Sequence, residues 1–177
     1  MSLYAQTIKT IESSPLIVPP FIKTRALNAE GMKGALELFG FETLGSQCLD
    51  VLSRAEFTPT FGLQFRFIII RPEIREPDGS IKFHRAMEIA ESRGYIRPTF
   101  EAGFYLAEWL IENRGDGFDF EHIIIMHEPV CCGEGSSAGN KILGVFDNLE
   151  VRGVLAEPGY GLSGDTVFAY QLPRHFR

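Results

Sequence analysis

Phe61-Gly62-Leu63-Gln64-Phe65-Arg66-Phe67-Ile68-Ile69-Ile70 decides the fold. Phe61, Leu63, Phe65, Phe67 and Ile69 fall on every second position, the period of a β-strand with one buried face. From Phe67 both faces turn apolar, so the strand is buried on both sides near its end. Upstream the period is different. In 28–40 the apolar residues Met32, Ala35, Leu36 and Phe39 sit at i, i+3, i+4 and i+7, one face of a helix. Asn28 can cap its start and Gly40 can end it in a left-handed conformation. In 46–55, Cys48, Leu49, Leu52 and Ala55 repeat the pattern. The pair Pro19-Pro20 separates this block from an expected short helix over 4–12. Residues 1–56 therefore read as mainly helical.

Downstream, Glu76-Pro77-Asp78-Gly79 is turn chemistry. A helix is expected over 83–93, ended by Gly94. A second starts at Thr99, whose hydroxyl can cap, with Glu101 in the first turn where the helix dipole favours a negative charge. It runs to about Asn113. Its expected inner side is Phe104, Ala107, Leu110 and Ile111, its expected outer stripe Glu101, Tyr105, Glu108 and Glu112, with Trp109 at the border. Arg114-Gly115-Asp116-Gly117 ends it. Strands are expected over 122–128, 142–146, 150–156 and 166–172. Helices come bunched and strands follow, which argues for α+β rather than βαβ alternation. The expected architecture is one domain over 1–177. A mainly helical part (1–56) precedes an α+β core (57–177), whose mixed or antiparallel sheet packs on two helices (84–93 and 99–113).

Composition sets the outer limits. The chain has 177 residues, 45% apolar and 23% charged, as a folded domain requires. Apolar runs such as Phe67–Ile70 are far short of the ~18 residues of a spanning helix. The net charge of −6 argues against general nucleic-acid binding, which needs a positive footprint. Three cysteines make no disulfide framework, and Met1-Ser2-Leu3 opens no secretory signal. The expected compartment is therefore the cytoplasm, with no membrane partner. Fifteen Phe residues admit a covered partner surface and hence a homodimer. The acidic run from Glu101 to Glu134 reads as a solvated face.

The densest set of reactive side chains is His122, His127, Glu128, Cys131, Cys132 and Glu134. On a strand His122 and His127 point to opposite faces, and adjacent cysteines lack the spacing of zinc ligands. No metal ligand set and no cofactor is assigned. Gly133–Lys141 looks like a phosphate loop but fails, because Asn140 separates the last glycine from Lys141 and no helix follows.

One stretch carries a resemblance. Ala86-Met87-Glu88-Ile89-Ala90-Glu91-Ser92-Arg93-Gly94-Tyr95-Ile96-Arg97-Pro98-Thr99, followed by an amphipathic helix, resembles a helix–Gly–x–x–(Arg/Leu)–Pro–Thr–helix unit of small prokaryotic domains of unknown function. It is similar to the helix pair of C-type-lectin-like domains of the sulfatase-modifying type. That pattern carries Glu and Trp where this chain has Ala102 and Gly103, so the resemblance implies a scaffold and no catalytic residue.

Whether the chain is an enzyme stays open, and three readings remain. The first is a non-enzymatic binding or interaction module for a protein or small-molecule ligand. Its recognition surface would be the loops 129–141 and 157–165, with Tyr160 as an aromatic anchor and Asp165 beside it. The second is a small hydrolase or thiol enzyme using His127 with Cys131 or Cys132. The third is a metal-binding accessory protein built on the same loop.

Overall fold

The computed structural model describes residues 16–38, 46–71, 75–113, 122–133, 138–146 and 150–173. The expected helix over 4–12, the Gly40 cap, the 114–117 loop and Glu134 lie outside the described residues. In chain order the elements are β1 (Leu16–Arg25), α1 (Ala29–Leu38), α2 (Ser46–Arg54), β2 (Phe61–Ile70) and β3 (Ile81–Lys82). They continue with α3 (Phe83–Ser92), α4 (Phe100–Glu112), β4 (His122–Ile125) and β5 (Val130–Cys132), then β6 (Gly139–Phe146), β7 (Val151–Leu155), β8 (Gly161–Leu162) and β9 (Thr166–Gln171). The fold is α+β. Seven strands form one mostly antiparallel sheet in the order β1-β2-β9-β4-β6-β7, and β5 continues the line of β4 along β6. The pair β4–β9 is parallel. β3 and β8 form a separate two-stranded ladder.

The alternation of β2 is borne out and sorts the core into two layers. Phe65, Phe67 and Ile69 face one layer with α1, α2 and α4, while Ile68 and Ile70 face the other with α3. The two helices 83–92 and 100–112 therefore do not back the sheet as a pair. They lie on opposite faces. The chain passes between the faces at Ile96, whose N–H and C=O both pair with Gln171, beyond the point where β4 leaves β9.

Two further expectations are corrected. Among the described residues of 1–56, α1 and α2 form as expected, but Leu16–Arg25 is a strand that runs through Pro19-Pro20 and not a break between helices. It is an edge strand, where a missing N–H is tolerated, and its pairing with β2 is broken between Val18 and Ile22. The outer stripe of α4 is not solvated either. Glu101, Tyr105 and Glu108 are all buried, and only Glu112 is exposed. β1 and the segment before β2 cover them and supply the donors that buried oxygens need. Glu101 accepts from the Thr60 N–H (2.8 Å) and hydroxyl (2.7 Å), Tyr105 Oη accepts from the Arg25 N–H (2.9 Å), and Glu108 pairs with Arg25.

The capping expectations hold. The Gly31 N–H donates to Asn28 Oδ1 (2.8 Å) and the Ala102 N–H to Thr99 Oγ1 (3.2 Å). Helix α3 is capped differently. Its N-cap residue Lys82 offers no side-chain acceptor, and carbonyls of the loop 157–165 take that role. The Phe83 N–H donates to the Tyr160 carbonyl (3.1 Å) and the His84 N–H to that of Pro158 (3.4 Å). His84 Nδ1 lies 2.7 Å from the same Pro158 oxygen. The loop is thereby fixed over the sheet as the chain's substitute for a capping side chain.

Candidate functional site

The loop held by α3 roofs a cleft of about 600 Å³. Its floor comes from the α3 face of the sheet: His122 and Ile124 on β4, Phe146 on β6, Arg152 and Val154 on β7, and Thr166 on β9. The rim is Tyr160, Gly161, Leu162 and Ser163. Gln47, Lys141, Glu150, Gly153 and Leu155 complete the lining along the edge strand β7. The aromatic content is concentrated. The His122 and Phe146 rings lie 4.8 Å apart, and the Arg152 guanidinium sits 4.7 Å over Phe146. Arg152 also pairs with Glu150. Tyr160 is exposed at the rim.

Lys141 is the unusual member. It is 2% exposed, and its cross-strand neighbours are Val130 and Leu155, both apolar. Among the described residues, no hydrogen bond or ion pair reaches its ammonium. By strand alternation its side chain shares the α2 face with Leu143 and Val145, opposite the Ile124, Phe146 and Val154 floor of the cleft.

A second cleft of similar volume lies on the other side of the molecule, lined by Ser53–Glu56, Phe100 and Glu128–Cys131. It holds the exposed thiol of Cys131 and the Glu128 side. Cys132 is buried, and burial pushes its thiol up from the ordinary value, with Asp50 adding to the rise. Cys48 is buried as its helical position implied, and loss of water pushes it up to about 12.

His127 is fully buried and both ring nitrogens are occupied. The Leu143 N–H donates to Nε2 (2.8 Å), so Nε2 is the acceptor and Nδ1 carries the proton, which it gives to the Glu128 carbonyl (2.6 Å). The ring stands where the line of β4 breaks before β5. It replaces the backbone acceptor that the break at 126–129 removes from the ladder to β6. Gly103 of α4 makes room for it, since a Cβ there would lie 3.2 Å from His127 Cδ2, and Phe100 meets the ring edge-on with centroids 5.4 Å apart. Burial pulls the imidazole down to about 4, and the nearby Arg97 adds to the fall. His122 faces the opposite side of the sheet, as the strand period requires.

The sequence candidates are thus divided. Tyr160 belongs to the first cleft, Glu128 and Cys131 to the second, and His127 and Cys132 to the core. Asp165 is exposed beside Ser163, and Glu134 lies outside the described residues. Among the described residues no group of three or more His, Cys, Asp or Glu could hold a metal ion, and no helix is long and apolar enough to cross a membrane. Sequence reasoning missed Phe146 and Arg152 as residues of the cleft. No family model, curated protein or solved structure matches this chain.

Proposed function

We propose that the chain is a non-enzymatic binding module whose ligand lies between the β4–β6–β7 floor and the loop 157–165. One observation carries this reading: a cleft of about 600 Å³, inside the range of small-molecule sites, joins an apolar floor to a few polar groups and an exposed tyrosine. Its roof is held by backbone bonds to α3, so a ligand meets a surface that is already formed and little ordering cost opposes binding. The alternative built on His127 has less behind it. A general base needs a free nitrogen within reach of a substrate proton, and both nitrogens of His127 are engaged in the core.

Backbone-amide NMR against a library of small aromatic and aliphatic fragments tests the reading. Shifts gathered on Tyr160–Ser163 and Gly153–Leu155 are expected, and Tyr160→Ala should weaken the fragments that cause them. Fragments that shift only Ser53–Glu56 and Glu128–Cys131 would move the site to the second cleft and overturn the proposal.

A further inference from the structure

We infer that the cleft takes an extended peptide, added to the sheet as a short antiparallel strand beside β7. The inference rests on the binding reading above and names the class of ligand. It starts from the two sheet faces that one cleft touches. Ile124, Phe146 and Val154 lie on the α3 face. Lys141, Gly153 and Leu155 alternate with them onto the α2 face, and Gln47 belongs to α2 itself. A single cleft touches both faces only by passing over an edge, and among the described residues β7 is an edge strand paired with β6 alone. The ladder fixes what that edge presents. The Phe146 N–H donates to the Glu150 carbonyl (3.0 Å) and the Ala156 N–H to that of Asn140 (2.7 Å), and Arg152 and Val154, in step with them, bond to β6. Val151, Gly153 and Leu155 therefore turn their N–H and C=O outward. Gly153 and Leu155 do so inside the cleft, and among the described residues no hydrogen bond reaches those groups.

The two ends of the sheet differ. β1 carries Pro19-Pro20 and two breaks of register, devices that stop an edge from pairing. β7 has no proline and holds one register with β6 from Val151 to Leu155. A second copy of the chain is the alternative strand. The loop 157–165 roofs the cleft and leaves two residues of β7 turned into it, far less than the ~800 Å² per partner of a stable dimer, and two copies of net charge −6 repel each other. A short segment suits the space. In antiparallel pairing, the more stable kind, residues directly opposite each other put their side chains on the same face. A peptide residue opposite Val154 thus aims its side chain at Ile124, Val154 and Leu162, beneath Tyr160, so an apolar residue belongs there. Its two neighbours meet Gly153 and Leu155 through backbone hydrogen bonds.

The test uses capped pentapeptides, acetyl-Ser-Val-Xaa-Val-Ser-amide with Xaa as Phe, Leu or Ser, titrated into the full chain by backbone-amide NMR. The Phe and Leu peptides are expected to shift Gly153–Leu155 and Tyr160–Ser163 and to slow hydrogen exchange at Gly153 and Leu155. The Ser peptide should bind about ten-fold more weakly, the scale of one buried apolar side chain. N-methylation of either valine should weaken the Phe peptide about ten-fold, the scale of one buried hydrogen bond, whereas N-methylation of the central residue, whose N–H points away from β7, should leave it within about two-fold. Losses that do not follow this alternation overturn the added strand and leave the binding module standing. Absence of shifts around the cleft with every peptide overturns the inference, and the fragment library then decides the wider reading. Sedimentation showing a dimer whose Gly153 and Leu155 amides are already protected without peptide would give the edge to a second copy and overturn the inference as well. No variant of the protein is needed, so a poorly folded mutant does not protect the idea.

Discussion

His127→Gln separates a structural imidazole from a catalytic one. In the folded chain the ring is neutral, with a proton affinity pulled down to about 4, against about 6.5 in the unfolded chain. Above pH 6.5 both states are neutral at this residue and it contributes no pH dependence. Below 6.5 the unfolded chain takes up a proton that the folded chain refuses, so stability falls with acid by about 1.4 kcal/mol per pH unit. The loss is complete near pH 4 and amounts to about 3 kcal/mol. Glutamine cannot titrate, and its amide oxygen can still reach for the Leu143 N–H. The variant should be less stable at pH 7.5 by about 1–3 kcal/mol through poorer packing and a weaker bond. Urea unfolding, followed by Trp109 fluorescence at pH 7.5 and 4.5, should then show the gap to the parent protein closing by about 2–3 kcal/mol at the lower pH. A gap of equal size at both pH values would refute the buried neutral ring. So would nitrogen-15 NMR placing the ring proton on Nε2, because the Leu143 N–H would then have no acceptor.

Three other outcomes follow from the same packing. Iodoacetamide at pH 7.5 should add one group per native chain, at Cys131, and reach Cys48 and Cys132 only after unfolding, because burial holds both thiols protonated; mass spectrometry showing rapid native labelling of Cys132 would contradict the packing of α2. Gly153→Ala should cost about 1–3 kcal/mol in urea unfolding, since the new Cβ would lie 2.8 Å from the Gln47 carbonyl oxygen and force α2 off β7. Glu101→Ala should destabilise by about 1–3 kcal/mol because it strips the Thr60 N–H of its acceptor, and Glu101→Gln should cost less because its amide oxygen still accepts; equal losses would show that the hydrogen bond is not what Glu101 contributes.

The period-two stretch Phe61–Ile70, the caps at Asn28 and Thr99, and the late strands were legible because each depends on local chemistry: alternation, an acceptor side chain, a turn. What was not legible depended on distant partners. Leu16–Arg25 carries two prolines and no clean alternation, and it becomes a strand because β2 offers it an edge. Glu101, Tyr105 and Glu108 share a polar stripe that looks solvated until β1 is laid across it. A carboxylate on a helix face is a surface residue by default and a buried one only where another element brings donors, and sequence spacing does not encode that arrival.

The same distinction explains the site. The eye is drawn to 122–134 because histidine, cysteine and glutamate crowd there, yet residue type says what a side chain can do and not whether it is free to do it. His127 spends both nitrogens on repairing a broken ladder, and Cys132 fills space under α2. Lys141 reads in sequence as the polar start of a strand, which is ordinary. The register sets it between Val130 and Leu155 on the face that α2 packs, and not on the Phe146 face that floors the cleft. Burial and hydrogen bonding, judged residue by residue, therefore say more about which side chains are free to act than the density of catalytic residue types does. By that measure Tyr160 and Cys131 are exposed and free, while His127 and Cys132 are not.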